Sequence, residues 1–224
     1  MKIVNKLLVG LTGLMIMVLI VSTVFFSVAY HDNFYKQEFE ANNITDVTGE
    51  TRESLNGIIE HTIVFLKGEK ASFAYTLEDG SQAFGEREIM HMDDVVKLFD
   101  VLRYIQMVAL VSTIVLAAYF IYQARSYNVL GKLFLSSVVW SIVFAAGIGI
   151  LASTDFTSAF TQFHEIFFTN DLWLLDPNTD LLIQMLPEVF FFNFVKQFAT
   201  SFLVVTFVTG IAGWYLFRKQ GKNA

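Results

Sequence analysis

The stretch LLVGLTGLMIMVLIVSTVFFSVA, residues 7–29, runs for 23 residues without a charged side chain. Three more apolar runs follow it, at residues 104–122, 133–152 and 198–217. Each run is long enough to cross a bilayer whose hydrocarbon core is about 30 Å thick. The sequence therefore predicts an α-helical integral membrane protein with four transmembrane helices. Hydrophobic residues make up 54% of the chain and charged residues 16%, less charge than a soluble domain carries.

The charged residues predict the orientation of these helices. All 21 acidic residues lie in residues 30–103 and 153–197, and basic residues mark the other ends of the apolar runs. These basic residues are Lys2, Lys6, Arg125, Lys132, Arg218, Lys219 and Lys222. Because Lys and Arg in short loops mark the cytoplasm, both termini are predicted inside and both acidic segments outside. The first run exceeds a signal-peptide core of about 7–15 residues, so it is interpreted as a retained anchor.

Composition also excludes several classes of function. The chain has no cysteine, which excludes disulfide, thiolate and cysteine–zinc chemistry. Its net charge of −6 provides no basic surface, so a nucleic-acid partner is not expected. The sequence contains no feature that indicates an oligomeric state.

The predicted organisation alternates membrane helices with exposed segments. The transmembrane helices are placed at residues 1–30, 101–124, 133–153 and 196–218. The extracellular segments are residues 31–100 and 154–195, and the cytoplasmic ones are the loop 125–132, which contains Asn128, and the tail 219–224. The second extracellular segment is expected to contribute an interfacial helical segment.

The first extracellular segment is predicted to be a small α+β domain with a β-hairpin. Residues 32–60 have the mixed spacing of short helices, whereas residues 62–66 and 71–77 alternate as strands do. Directly after the second predicted strand, residues 78–81 are Glu-Asp-Gly-Ser, a turn signal in which glycine tolerates a positive φ.

Two motifs carry the candidate chemistry. The first, GEREIMHMDDVVKLF (85–99), begins a helix that continues into the second apolar run. We place Asp93 and Asp94 in its first turn and His91 at or just before its start. The second, FHEIFFTNDLWLLDPNTDLLIQMLPEVFF (163–191), holds five carboxylates among aromatic residues at a membrane boundary, which is expensive unless it serves a function. Helices are predicted at residues 156–168, from Asp176-Pro177, and from Pro187-Glu188.

His91 and His164 are the candidate catalytic pair, because each lies in a dense polar motif. The alternative is that both only satisfy local hydrogen bonds. A helix N-terminus would keep His91 neutral, whereas nearby carboxylates would favour its charged form. A zinc site of His91, His164 and an Asp is a second alternative. His31 and His61 are interpreted as surface or interface residues. Asp180 and Glu188 are interpreted as solvated or helix-start carboxylates, and Trp173 as an interfacial anchor or a substrate contact.

The two motifs and the order of spans resemble the lipoprotein intramolecular transacylases, the Lit family of bacterial four-span membrane proteins. The resemblance implies an acyltransferase of the cell membrane that acts on diacylated lipoproteins. It would move an acyl chain from the diacylglycerol of the N-terminal cysteine to the α-amino group of that cysteine, giving the lyso form. Membrane lipid would surround the enzyme, and the resemblance implies no cofactor or metal. The family's two important histidines fall on His91 and His164, and its site surroundings fall on Arg87, Asn170, Asp171 and Trp173.

Two rival functions remain open from the residues. One is a metal-dependent membrane hydrolase or protease, which stoichiometric zinc in the purified protein would favour. The other is a non-enzymatic receptor or accessory subunit, which would tolerate substitution of both histidines.

Overall fold

The computed structural model describes residues 3–127, 129–152 and 155–220. Lys2, Lys222 and Asn128, which entered the orientation argument, lie outside these ranges. Within them the chain forms nine helices and no named strand. The helices are α1 Ile3–Ala29, α2 Asp32–Ala41, α3 Ile44–Thr48, α4 Arg52–Leu66, α5 Glu86–Ala124, α6 Val129–Ala152, α7 Phe156–Phe167, α8 Leu181–Met185 and α9 Glu188–Gln220.

Four helices, α1, α5, α6 and α9, are long and apolar enough to cross a membrane. This confirms the prediction of a helical protein with four candidate membrane spans. The helix that begins after Gly85 does continue into the second apolar run, since α5 is 39 residues long. Helix α6 begins at Val129, four residues before the apolar run that starts at residue 133.

Contacts divide the chain into two compact units, and the first consists of Met1–Phe25, Leu102–Ser153 and Phe198–Ala224. In this unit α6 and α9 touch through their backbones. A Cβ atom on Gly131 would lie 2.6 Å from the backbone nitrogen of Phe217, so only glycine fits there. Helix α6 also bonds to α1, because the indole of Trp140 donates to the carbonyl of Gly10 at 2.9 Å. Such close approach through glycine is typical of helices packed in membranes.

The second unit consists of Phe26–Val101 and Thr154–Gln197, and it holds both sequence motifs. Its hydrophobic core includes Ile58 and Phe73, which have no exposed surface, and the ring of Phe73 stacks on Phe84 with centroids 4.3 Å apart. The apolar run of α5 that begins at residue 104 belongs to the first unit, so the turns of α5 that carry His91 lie outside that run.

The predicted α+β character of the second unit is wrong. Residues 62–66 form the end of α4, whose buried residues recur at helical spacing, and its first turn is capped by Thr51, which accepts from the Ser54 amide. Residues 71–77 form no strand, only an isolated bridge between Thr76 and Gln82. The turn between these two residues is confirmed, with Gly80 at a φ of +86°. A single bridge is too short a ladder to compete with packing against the helical core.

The helical parts of the second motif are confirmed except at Asp176-Pro177. Helix α7 spans Phe156–Phe167, begins after Asp155, which accepts from the Ser158 amide, and α9 starts at Glu188 after Pro187. Residues 177–179 form only a turn, and α8 starts at Leu181. The Asp176 carboxylate accepts from the backbone and side-chain amides of Asn178, which favours a local turn over a helix.

Candidate active site

His91 lies in the second turn of α5, not at or before its start as predicted from the sequence. The helix begins at Glu86, and its first-turn acidic residues are Glu86 and Glu88 rather than Asp93 and Asp94. The helix dipole acts mainly within the first turn, so it does not determine the charge state of His91. Burial does, since His91 is 8% exposed.

His164 lies near the C-terminal end of α7 and is 7% exposed. Its Nδ1 atom is 2.7 Å from the carbonyl oxygen of Phe160, one helical turn earlier. A carbonyl oxygen can only accept, so Nδ1 must carry the hydrogen. In the neutral ring the free lone pair is therefore on Nε2.

The structure brings the two histidines together, although 73 positions (164 − 91) separate them. Their ring centroids are 6.1 Å apart, with 33° between the ring planes. This spacing agrees with the predicted proximity. Nδ1 of His91 is buried and has no hydrogen-bond partner among the described residues.

Aromatic rings surround the pair. The indole of Trp173 stacks on His164 with centroids 4.8 Å apart and 27° between the planes. The ring centroid of Phe168 is 5.2 Å from that of His91 and 5.6 Å from that of His164. The ring centroid of Phe160 is 4.3 Å from that of His164. These rings exclude water from the imidazoles, which strengthens electrostatic interactions between them.

The apolar surroundings lower the pKa of both histidines. Burial is the main cause, and it lowers the pKa of His91 to about 4. A charge on His164 would lower the pKa of His91 further, while Asp94 acts in the opposite direction. Burial also lowers the pKa of His164, opposed by its hydrogen bond to Phe160. Both rings are therefore neutral at pH 7, and a proton gained by one disfavours a proton on the other.

The other predicted site residues join the loop after α7 to the first turns of α5. The guanidinium of Arg87 donates to the backbone carbonyl of Asp171. The side-chain amide of Asn170 donates to the carboxylate of Asp94 at 2.8 Å. The ammonium group of Lys97 also donates to this carboxylate, and the bonds from Lys97 and Asn170 lower the pKa of Asp94. Sequence reasoning grouped these residues without predicting the bonds, which link positions 84 and 76 residues apart.

Two buried polar residues of this unit did not follow from the sequence: no prediction was made for Glu88, and the one made for His61 was wrong. Glu88 is 3% exposed and accepts backbone hydrogen bonds from Gly85 and Leu182. His61, interpreted as a surface or interface residue, is buried at 6% exposure between the carbonyl of Phe73 and the ammonium group of Lys70. The only local signal for Glu88 was its place three residues after Gly85, as in a capping box.

An open pocket lies beside His164, along the end of α7 and the loop after it. It is lined by Thr161, Glu165, Phe168, Thr169, Asn170, Asp171, Trp173 and Leu174. Among the described residues no three His, Asp or Glu side chains come together in a group that could hold a metal ion. Neither histidine lines this pocket, but Phe168 and Trp173, whose rings contact His164, do. The arrangement thus offers two neutral imidazoles behind aromatic walls that face an open pocket, a set suited to proton transfer.

Comparison with known proteins decides the family. The family model described as lipoprotein intramolecular transacylase Lit matches residues 10–191, well over half of the chain. The chain belongs to the Lit family. It is therefore a multi-pass membrane acyltransferase, and the alternative of a non-enzymatic receptor or accessory subunit is set aside.

Two individual proteins are also similar to this chain. An uncharacterised protein of Aquifex aeolicus (strain VF5) is 26% identical over 205 residues, covering 87% of this chain and 89% of the relative. The membrane-integral Lit of Bacillus cereus has the same fold, with a TM-score of 0.85 at 20% identity over 99% of this chain and 100% of that one. A structure of that protein with one histidine replaced by arginine matches with a TM-score of 0.79 at 20% identity, over 99% of this chain and 95% of that one.

Proposed function

We propose that this protein moves an acyl chain within a bacterial lipoprotein by acid–base catalysis at His91 and His164. The acyl group would leave the diacylglycerol of the N-terminal cysteine and join the α-amino group of the same cysteine, which gives the lyso form. The observation that carries the proposal is the buried pair of neutral imidazoles, 6.1 Å apart, beside an open pocket in a member of the Lit family.

The reaction needs one proton removed and one supplied. The amine nitrogen forms a bond to the acyl carbon, the ester C–O bond breaks, the amine loses a proton and the glycerol oxygen gains one. A positioned base and acid each contribute a factor of about 100–10,000 to such a reaction. Amine and ester belong to one molecule, so holding them in place supplies much of the remaining acceleration. An ester that becomes an amide needs no energy-carrying cofactor.

His164 is assigned the role of base. Its Nδ1–H is engaged by the carbonyl of Phe160, so Nε2 is the nitrogen able to take the amine proton. The imidazolium so formed lies against the face of Trp173, where a cation is stabilised by the ring. Giving this proton to the leaving glycerol oxygen returns His164 to its starting state.

His91 is assigned the role of a neutral hydrogen-bond donor. Its pKa of about 4 keeps it uncharged while His164 cycles, and no described residue occupies its Nδ1. An N–H group of His91 directed at the developing oxyanion would stabilise the transition state, which is where such donors have their largest effect. Arg87 has N–H donors beyond the one bonded to Asp171 and could bind a substrate carbonyl.

Substrate contacts are assigned to the loop after α7. Asn170, Asp171 and Trp173 line the open pocket, so they would contact the lipid-modified cysteine and its first peptide bonds. The site is placed on the extracellular face, where the substrate's glycerol meets the peptide. Support for that side is the confinement of every Asp and Glu to residues 30–103 and 153–197.

The test uses the purified protein and a synthetic diacylated lipopeptide that contains no lysine. Product and substrate have the same mass because the acyl chain stays within one molecule. Conversion is therefore measured as loss of amine-reactive labelling, with the N-acyl group located by fragmentation in the mass spectrometer. A peptide whose amine is already acetylated is the control, and it should not react.

Single His91→Ala and His164→Ala variants should lose this conversion while still inserting and folding, which their helical circular dichroism and elution as a single species report. Full activity in either variant would refute the assigned mechanism. The rival hydrolase predicts a different product, a lighter lipopeptide and a free fatty acid. Activity lost to a chelator and restored by zinc would support that metal-dependent alternative.

A further inference from the structure

Glu88 lies one helical turn before His91 on α5, and the chemistry proposed above does not use it. Both of its carboxylate oxygens accept backbone hydrogen bonds. Oε2 accepts from the amide of Gly85 at 2.6 Å, and Oε1 accepts from the amide of Leu182 at 2.7 Å. A carboxylate this buried is tolerated only when such donors replace its water.

The bond to Gly85 caps the start of α5. Gly85 immediately precedes the helix and Glu88 is its third residue, the position from which a glutamate reaches back to the N-cap amide. Glycine has no side chain to complete the reciprocal half of this capping box. Glu88 therefore provides the side-chain cap at the start of the helix that bears His91.

The bond to Leu182 caps the start of α8. Asp180 occupies the N-cap position of α8 but makes no capping bond, because its carboxylate accepts from the Asp176 amide at 2.8 Å and the Thr179 hydroxyl at 2.9 Å. The amide of Leu182 is satisfied by Glu88 instead, from 94 positions away. One carboxylate thus caps two helices.

The bond from Leu182, in the first turn of α8, to Glu88 is accompanied by two others that join α5 to the loop after α7. The other two are those of Arg87 with Asp171 and of Asp94 with Asn170, one on each side of His91 in sequence. Trp173, which stacks on His164, lies between the bonded residues Asp171 and Leu182. The position of Trp173 relative to α5 therefore depends on the bonds at Asp171 and Leu182, which hold the chain to α5 on both sides of Trp173.

We propose that Glu88 is a positioning residue for acyl transfer, which holds the loop carrying Trp173, and through it His164, in register with the turn carrying His91. This proposal rests on the function proposed above. The matched comparison is Glu88→Gln with Glu86→Gln. A glutamine oxygen accepts but its NH₂ group only donates, so Glu88→Gln leaves the amide of Gly85 or Leu182 without its acceptor. Glu86 is an exposed carboxylate of the same first turn.

We expect Glu88→Gln to lower kcat by about 10- to 100-fold, because small misplacements of reacting groups have effects of this size. KM should change less than kcat, since the pocket residues that contact substrate are retained and only their position relative to α5 changes. Glu86→Gln should leave both constants unchanged. Glu88→Asp keeps the charge but is too short to reach both amides, so its kcat should fall between wild type and Glu88→Gln, and it serves as the test variant if Glu88→Gln does not fold.

A second measurement reports geometry without catalysis. In the full chain with Trp140→Phe and Trp214→Phe, Trp173 is the only indole, and a protonated imidazole in contact with it quenches its emission. Emission should show a step as pH falls through the pKa of His164. Glu88→Gln should reduce the amplitude of this step at least by half, and Glu86→Gln should not. The step does not require His164 to be catalytic, so it separates failure of this proposal from failure of the histidine mechanism.

Two results would overturn the positioning role. One is a Glu88→Gln protein with wild-type kcat and an unchanged Trp173 step. The other is a Glu88→Gln protein with a lowered melting temperature and lowered kcat but an intact step, which would make Glu88 a structural residue only.

Discussion

The indole of Trp173 stacks on the imidazole of His164, with 4.8 Å between ring centroids and 27° between ring planes. Together with the bond from Nδ1 to the carbonyl of Phe160, this stacking fixes the plane and the tautomer of His164. Trp173, for which the sequence left an interfacial anchor and a substrate contact as alternatives, thus contacts one of the two candidate catalytic rings.

Replacing Trp173 by Ala should lower kcat by about tenfold, because an aromatic pair contributes about 0.5–1.5 kcal/mol beyond its buried area. Trp173→Phe should retain most of the activity, since a smaller ring can still pack on His164. The lipopeptide assay measures kcat and KM of both variants, with Trp140→Phe as the control. An increase in KM at unchanged kcat would instead indicate that Trp173 mainly contacts the substrate.

The double variant His91→Ala/His164→Ala should be hardly less active than either single variant. Residues that act as one catalytic unit give non-additive losses, because removing either one already disables the proton transfer. Single-turnover rates of the three variants provide the measurement. Independent contributions would appear as a double-variant loss equal to the product of the two single losses.

Stability should decrease as pH falls from about 6.5 towards 4, partly because of His91. Its pKa is about 4 in the folded protein, whereas an unfolded histidine has a pKa of about 6.5. Between these values the unfolded chain binds a proton that the folded chain does not, so unfolding becomes more favourable. Melting temperatures of wild type and His91→Ala at pH 7.5 and 5 test this, and the wild type should lose more on acidification. Equal losses would contradict a neutral, buried His91.

His61→Ala should lower the free energy of unfolding by about 2–4 kcal/mol, through a cavity and an unsatisfied carbonyl. The imidazole of His61 donates from Nε2 to the carbonyl of Phe73 at 3.0 Å and accepts from Lys70 at Nδ1. The control is His31→Ala, an exposed site where changes of about 0.5 kcal/mol or less are expected. Similar losses for both variants would show that the burial of His61 contributes little.

The absence of cysteine makes the orientation directly measurable. Single cysteines at the exposed positions Asp46 and Tyr127 should react differently with a membrane-impermeant thiol reagent in intact cells. Asp46→Cys should be labelled from outside, and Tyr127→Cys only after the membrane is permeabilised. Labelling of Tyr127→Cys in intact cells would contradict the predicted topology and the extracellular site.

The features predicted well from sequence depend on local signals. Hydrophobicity over 20 residues identifies the candidate spans, and Pro187 marks the start of α9. The strand predicted at residues 62–66 failed because five residues do not distinguish a twofold period from a helical one. Helix α4 buries Leu55, Ile58, Ile59 and Ile63 as one continuous face, which decides the conformation.

The features missed depend on partners that lie beyond the next two helical turns, in one case 94 positions away. The burial of Glu88 comes with a bond to an amide 94 positions later, and that of His61 with the segment containing Lys70 and Phe73. Neither the bond between Glu88 and Leu182 nor the contacts of His61 can be recognised from side-chain type or from neighbouring residues. The proximity of His91 and His164 was inferred from the composition of their motifs, whereas the stacking of Trp173 was not.

The hydrogen bonds in which Arg87 donates and Glu88 and Asp94 accept also determine when this part of the protein can form during synthesis. Their partners Asp171, Leu182 and Asn170 are added 84, 94 and 76 residues later, after all of α6. Until then the nascent chain has α5 but neither His164 nor the loop that fastens to it. A product truncated after α6 would insert in the membrane as an incomplete protein with half of the histidine pair, so assembly of this region is necessarily one of the last events in biogenesis.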